Sequence, residues 1–150
     1  MYKEIDDFFI SKAVAIAYVS RDKNHFSRLL SEAFNDRGYK VYPINPNADE
    51  ICDQKCYRSL SQVPSDVEAI YIITRKDLAI DLAREAANMG IKRIWIHVSC
   101  NSQEIKEISS KHGISIIAGE CFFMWSEPVK GIHRFHRFIR SLFDSNVKMK

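Results

Sequence analysis

The chain has 150 residues, of which 46% are hydrophobic and 27% are charged, as in an ordinary globular domain with its own core. Its formal net charge of +3 is too small to indicate nucleic-acid binding by itself, and no apolar run approaches the roughly 20 residues of a membrane span. The N-terminus is acidic and polar, unlike a signal peptide, so we expect a cytoplasmic protein with reduced cysteines.

The first part of the chain predicts a strand–loop–helix unit. Apolar residues at helical spacing predict a short N-terminal helix over residues 1–10. The continuous apolar run Val14–Val19 predicts a strand that is buried on both faces. Phe26–Arg37 carries an apolar stripe that includes Leu29, which predicts a helix with one buried side, ended by Gly38.

Strands and helices alternate through the rest of the chain. We predict further strands at Lys40–Asn45, Lys55–Tyr57 (a short edge strand), Ala69–Thr74, Arg93–Val98 and Ile114–Ala118. We predict helices at Lys76–Met89, Gln103–His112 and Ile132–Phe143, with a loop over residues 119–130. The alternation favours one α/β domain with a three-layer, doubly wound parallel sheet, a strand order of 3-2-1-4-5-6 and an amphipathic C-terminal helix.

The loop after the first strand is the expected place of function, because it faces the point where the strand order reverses. A dinucleotide-binding loop would carry G-x-G-x-x-G, followed by an acidic residue at the end of the second strand. This loop, residues 18–24, has no glycine, and the second strand ends in Asn45, so NAD binding in the usual mode is disfavoured. The residues of this loop either meet a phosphate at the helix N-terminus or are solvated; those that could meet it are Ser20, Arg21, Lys23 and Asn24.

Five stretches, in register over about residues 12–124, carry a resemblance to a known family. They are Ala15–Ser20, Gly38–Pro46, Cys56–Leu60 with Val63 and Pro64, Gly90–Ile96 and Gly119–Cys121. Together they resemble the small stand-alone CoA-binding domain proteins, which are related to the CoA-binding domain of succinyl-CoA synthetase. Residues 38–46 are especially similar to the family pattern Gly-Tyr…Val-x-Pro-Val-Asn-Pro.

The resemblance implies a Rossmann-like fold and a ligand, coenzyme A or an acyl-CoA, with an adenine nucleotide as the broader class. We expect a module without catalytic activity of its own, either a ligand sensor or a partner of an acyl-CoA enzyme. The residues that the resemblance places around the ligand are Val19, Ser20 and Arg21 at the diphosphate, Asn45 and Pro46 at the adenine, and Thr74 and Arg75 at the nucleotide edge.

Two departures from the family lie at the mouth of this site, where Tyr18 and Ser99 replace glycines. A glycine lets a ligand approach the backbone, whereas a tyrosine ring either blocks the ligand or stacks on it. One alternative is therefore an interaction protein that has lost its nucleotide site. A second is a thiol-dependent enzyme that uses Cys121, which follows a strand end where an adjacent helix or nest of N–H groups can lower the pKa of a thiol. A buried structural cysteine is the more common explanation of such a residue. Against an enzyme, the sequence contains no recognisable acid–base pair.

Metal binding is not expected from the sequence. The candidate ligands His97, Cys100, Cys121, His133 and His136 match no zinc spacing. The helical pair His133 and His136 is better explained as partly exposed residues of the last helix.

The predicted C-terminal helix, Ile132–Phe143, combines an apolar arc with arginines on the opposite side. That pattern suits an anionic surface or nucleic acid, but more often a helix that packs on its own domain. We expect no nucleic-acid partner and no membrane span, and we consider a homodimer or a protein partner that contacts this helix. The aromatic segment Phe122–Trp125 before it either buries against the helix or forms a dimer contact.

Overall fold

The computed structural model describes residues 2–98 and 102–126. The chain divides into two compact units, residues 1–119 and residues 120–150. The second unit is described over residues 120–126, where a short helix, Phe122–Trp125, occupies part of the segment that the sequence predicts as a loop. The predicted helix Ile132–Phe143 lies outside the described residues.

The first unit is built from alternating strands and helices, as predicted. Its helices are α1 (Tyr2–Ile10), α2 (Phe26–Asp36), α3 (Lys76–Asn88) and α4 (Gln103–His112), with a 3-10 turn at Leu60–Gln62. Its strands are β1 (Ala13–Ala17), β2 (Lys40–Ile44), β3 (Glu50–Ile51), β4 (Gln54–Lys55), β5 (Ala69–Ile72), β6 (Arg93–Ile96) and β7 (Ser115–Ala118). The short helix Phe122–Trp125 of the second unit is α5.

The main sheet has five parallel strands in the order β2-β1-β5-β6-β7. This order confirms the predicted doubly wound arrangement for the long strands. The predicted edge strand Lys55–Tyr57 is wrong in detail, because only Tyr57 bridges to Ile44 of β2. The residues before Tyr57 pair elsewhere: β4 forms an antiparallel hairpin with β3, and the backbone N–H of Cys56 donates to the carbonyl of Asp49.

The two faces of the sheet are covered by different helices. On one face, alanines and isoleucines of the strands share a core with Ala79, Ala83 and Ile105 of α3 and α4. The other face is aromatic: the ring of Phe8 in α1 lies 5.1 Å from that of Trp95 and 6.4 Å from that of Phe34 in α2. The continuous apolar runs of the sequence therefore correspond to strands that are buried on both sides.

The buried face of α2 is displaced from the predicted one. Leu29 is 50% exposed, whereas Ser27 and Ser31 are fully buried beside Leu30 and Phe34. A stripe assigned from apolar side chains alone omits these two serines, which are small enough to fit between the helix and its neighbours. Among the described helices, none is both long enough and apolar enough to cross a membrane.

Candidate functional site

The candidate site lies at the carboxyl edge of the main sheet, where the strand order reverses. The chain leaves β1 for β2 on one side and later returns to β5 on the other side of β1. In open α/β sheets, ligands bind in the crevice outside the strand ends at such a point. The residues that follow β1 and β5 are Tyr18 to Ser20 and Ile73 to Arg75, so the fold places these two predicted groups at neighbouring strand ends.

The loop after β1 is fastened to the end of β2 by two hydrogen bonds. The backbone N–H of Val19 donates to the carbonyl of Ile44 (3.1 Å), and Nδ2 of Asn45 donates to the carbonyl of Val19 (2.8 Å). Oδ1 of Asn45 accepts from the backbone N–H of Asn47 (2.8 Å). Both ends of the Asn45 side chain are thus used within the protein, and the exposed ring of Pro46 is the surface that remains for a ligand at this strand end.

Tyr18 adopts a backbone conformation that glycine favours. Its φ is 64°, in the left-handed region that costs an L-residue about 1–2 kcal/mol. The partly buried ring packs against the hydrophobic core. A glycine, which the family resemblance predicts at this position, would adopt this conformation without strain, whereas the chain adopts it with a tyrosine.

Several backbone N–H groups of this loop are already bonded within the protein. The N–H of Ser20 donates to Oγ of Ser27 (2.8 Å), and the N–H of Asp22 donates to Oγ of Ser20 (3.0 Å). Oδ1 of Asp22 accepts from the N–H of Asn24, and the carbonyl of Asp22 accepts from the N–H of His25. These four N–H groups are therefore not available to an anion, unlike those of a glycine-rich loop, which cradle a phosphate.

His25 caps the N-terminus of α2. Its Nδ1 accepts from the backbone N–H of Ser27 (3.2 Å) and lies 2.8 Å from Oγ of Ser27. A serine hydroxyl beside an imidazole is an arrangement also found in nucleophilic catalysis, but Ser27 is fully buried. The contact is therefore a helix cap, a role usually filled by serine, threonine, aspartate or asparagine.

The predicted cations of the site are exposed. Arg21 and Lys23 extend from the loop after β1. Arg75 stands at the N-cap of α3, and its Nε lies 3.1 Å from Oδ2 of Asp77. Such a surface pair contributes about 0–1 kcal/mol, so the guanidinium can exchange Asp77 for a phosphate at little cost. Thr74 precedes it and is half-buried.

His97 is a residue of this edge that the sequence analysis considered only as a metal ligand. It directly follows β6, its Nδ1 lies 3.1 Å from the hydroxyl of Tyr71, and its ring lies 4.7 Å from that of Phe26. Burial lowers the pKa of His97, which favours a neutral imidazole. The sequence signal that could have identified His97 is its position directly after the stretch Gly90–Ile96, which resembles the family.

Two of the predicted site residues are not joined to this edge by the described geometry. Ser99 lies outside the described residues, as do Cys100, His133 and His136. Cys121 belongs to the second unit, where burial raises the pKa of its thiol despite hydrogen bonds from the backbone N–H groups of Phe123 and Met124. Desolvation thus outweighs the nest of N–H groups, and the lowered pKa that a thiol-dependent enzyme would need is not found.

Metal ligands do not gather in the described part of the chain. Within residues 2–98 and 102–126, no three side chains of His, Cys, Asp or Glu come together as a metal site would require.

Comparison with known proteins gives the family. The sequence model of the family described as "CoA binding domain" matches residues 12–126. Acetate–CoA ligase [ADP-forming] II of Archaeoglobus fulgidus is 34% identical over 125 residues, which cover 75% of this chain and 19% of the ligase. The chain thus spans about a fifth of that relative.

Two smaller proteins match over most of their length. The Bacillus subtilis protein YneT is 23% identical over 111 residues, covering 74% of this chain and 82% of YneT. A conserved hypothetical protein from Pyrococcus furiosus has a solved structure that superposes with a TM-score of 0.67 at 30% identity, covering 73% of this chain and 95% of that one. Since the family match extends over residues 12–126 of the 150, this chain belongs to the CoA-binding domain family.

Proposed function

We propose that this chain binds coenzyme A or an acyl-CoA at the carboxyl edge of β1, β2 and β5, as a module without catalytic activity of its own. The observation that carries the proposal is the anchored loop after β1. Its hydrogen bonds from Val19 and Asn45 hold it beside the switch point of the sheet, where ligands of this fold class bind. Membership of the CoA-binding domain family supplies the ligand class.

In this proposal the diphosphate of the ligand lies between the loop after β1 and the start of α3. Ser20 and Arg21 approach it from one side, and Thr74 and Arg75 from the other. A guanidinium suits this task because its planar fork donates two hydrogen bonds to one phosphate. The adenine lies against the exposed face of Pro46, whose ring provides a flat wall.

The groups that could perform chemistry are poorly prepared for it. The pKa of the Cys121 thiol is raised, so at neutral pH it is a thiol rather than the nucleophilic thiolate. Ser27 is buried behind its cap. His97 has a lowered pKa and its Nδ1 is engaged with Tyr71. These features favour a ligand sensor, or a partner of an acyl-CoA enzyme, over an enzyme.

A second candidate function is an interaction protein that has kept the fold and lost the nucleotide. The observation that favours it is Tyr18, which places a ring on the left-handed residue at the mouth of the site. A protein contact through the predicted helix Ile132–Phe143, including a homodimer, would serve either function and remains a prediction.

The deciding experiment is a calorimetric titration with CoA, with ADP and NAD as controls. Micromolar binding selective for CoA would support the proposal. A ligand present at 100 times its dissociation constant stabilises the folded state by about 2.7 kcal/mol, so the melting temperature must rise in parallel. No heat and an unchanged melting temperature for all three compounds would contradict CoA binding and favour the interaction protein.

Matched variants then locate the site. The substitution Arg75→Gln removes one cation from the proposed phosphate contact. It should weaken CoA binding by about tenfold, the change expected for the loss of one hydrogen bond to a charged group. Arg84→Gln removes the same charge from an exposed arginine of α3 that pairs with Asp81, and it should leave binding unchanged. Equal effects of the two variants would show that only net charge matters.

A further inference from the structure

A polar cavity of about 460 Å³ lies between α2 and the β3–β4 hairpin. It does not correspond to any of the contacts assigned above, apart from Arg21, which borders it. Three cations and three carboxylates line it: Arg21, Lys23, Arg28, Glu32, Glu50 and Asp53. All of these side chains are exposed except that of Arg28, so the cavity has a mixed, solvated rim and one buried cation.

Arg28 is the unusual member of this set. It is only 9% exposed, and its Nε is fully buried without a hydrogen-bond partner. An arginine is charged at every physiological pH, and a buried charged donor that lacks a partner lowers the stability of the folded protein. Among the described residues, no carboxylate forms an ion pair with Arg28, although Glu32 follows it by one helical turn.

The surroundings of Arg28 favour a tetrahedral anion with several oxygen atoms that accept hydrogen bonds. Arg28 is in the first turn of α2, where the helix dipole adds a partial positive charge. Arg21 and Lys23 extend from the preceding loop and can close over the same ligand. The exposed carboxylates of Glu32 and Glu50 can accept hydrogen bonds from hydroxyl groups, which a phosphorylated sugar carries beside its phosphate.

From this arrangement we propose that the cavity is a phosphate-binding site, with Arg28 at its floor and Arg21 and Lys23 at its rim. The ligand class is a phosphate monoester of a hydroxylated carrier. Two sources share this chemistry: an independent phosphate compound, and the ribose phosphate of a CoA molecule whose diphosphate lies at the loop after β1. Only the second source rests on the proposed function, because the cavity and the buried arginine are independent of it.

The first arm of the test uses inorganic phosphate and follows its ³¹P resonance as the protein is titrated in phosphate-free buffer. Arg28→Met keeps the aliphatic stem and removes the guanidinium, so phosphate binding should weaken by about tenfold or more. Glu32→Gln removes a neighbouring negative charge and should strengthen binding by about twofold or more. Arg84→Met, the matched control on α3, should leave phosphate binding unchanged.

The second arm compares CoA with dephospho-CoA, which lacks the ribose phosphate. If the phosphate is that of CoA, the wild type prefers CoA by about tenfold or more, and Arg28→Met abolishes the preference while still binding dephospho-CoA. A different result is that phosphate binds and Arg28→Met weakens its binding, while neither CoA nor dephospho-CoA binds. The cavity is then an independent phosphate site, and only the proposed CoA binding is contradicted.

The proposal is overturned if the wild type shows no saturable phosphate binding and no preference for CoA over dephospho-CoA. It is also overturned if Arg28→Met leaves both quantities unchanged. Should Arg28→Met fail to fold, Lys23→Gln replaces it, because this exposed residue lines the cavity and has no part in the diphosphate contact proposed above. That variant must weaken phosphate binding, and unaltered binding would count against the site in the same way.

Discussion

Two substitutions of Tyr18 separate two contributions to the free energy of unfolding: the backbone strain at this residue and the burial of its ring. Tyr18→Gly and Tyr18→Ala both remove the ring, but only glycine is relaxed at a φ of 64°. The ring is partly buried against the core, so its loss should cost about 1 kcal/mol, roughly half of the value for full burial. Alanine should therefore lower the free energy of unfolding by about that amount.

Glycine adds two opposing effects. It removes about 1–2 kcal/mol of left-handed strain, and it loses about 0.4–1 kcal/mol because the unfolded chain becomes more flexible. Tyr18→Gly should therefore remain within about 1 kcal/mol of the wild type, and above Tyr18→Ala by roughly 1 kcal/mol. For a chain of this size that difference is about 2–4 °C in melting temperature. Equilibrium unfolding in urea measures it, and an alanine variant as stable as the glycine variant would refute the strain argument.

The same pair of variants reports on the ligand. If the ring blocks CoA, both variants should bind it more than about tenfold tighter than the wild type, a gain of about 1.4 kcal/mol. If the ring stacks on the ligand, both should bind more weakly. A gain in Tyr18→Gly alone would instead show that the backbone, not the ring, limits the approach of CoA.

Three further predictions concern stability. Phe8→Ala should lower the free energy of unfolding by about 3–5 kcal/mol, because this fully buried ring of α1 contacts Trp95; a smaller loss than Ile10→Ala, an exposed neighbour, would contradict the packing. Asp53→Gly should stabilise the ligand-free protein by about 0.5–1 kcal/mol in urea unfolding, because at this positive-φ turn residue glycine removes about 1–2 kcal/mol of strain and loses about 0.4–1 kcal/mol through a more flexible unfolded chain; no gain would show that the turn is unstrained. Burial lowers the pKa of His97 in the folded protein, so near pH 6.5 the unfolded chain takes up a proton that the folded chain does not. The free energy of unfolding should therefore fall as the pH drops below about 6.5, and it should level off below the pKa of the folded state. His97→Gln should flatten that part of the stability–pH curve, and identical curves would contradict it.

The fold was largely predictable because its strands are continuous apolar runs and its helices end at recognisable signals. In α4 these signals are Ser102, whose side chain accepts from the N–H of Ile105, and Gly113, which ends the helix at a φ of 60°. The edge strand at Lys55–Tyr57 was not predictable in detail. Its outcome depends on whether the chain pairs with β2 or folds back on itself, and both options have similar local sequences. The buried face of α2 was misassigned because Ser27 and Ser31 are polar residues in apolar surroundings.

The position of the site could be predicted from the sequence, but the hydrogen bonds, burial and pKa shifts of its side chains could not. The strand ends and the loop after β1 follow from topology, and Tyr18 was recognisable as a departure from a glycine. Side-chain hydrogen bonds do not follow from topology. Nothing in the sequence indicates that the Asn45 amide donates to one backbone carbonyl and accepts from one backbone N–H. Nor does it show that Arg28 is buried, because an arginine in an amphipathic helix is normally assigned to the solvated face. The direction of the Cys121 pKa shift does not follow from the sequence either, because desolvation depends on tertiary burial.

These observations change how an anion would be held at this edge of the sheet. In a glycine-rich loop the backbone N–H groups make the contact, and the side chains can be small. Here the N–H groups of Ser20, Asp22 and Asn24 are occupied within the loop. These three groups cannot contact a phosphate, which gives the arginines and the lysine around the loop a larger share of its recognition. Long-range attraction from such exposed cations is screened by salt, whereas the buried guanidinium of Arg28 is shielded from it, so the cavity floor is the contact that should persist at physiological ionic strength.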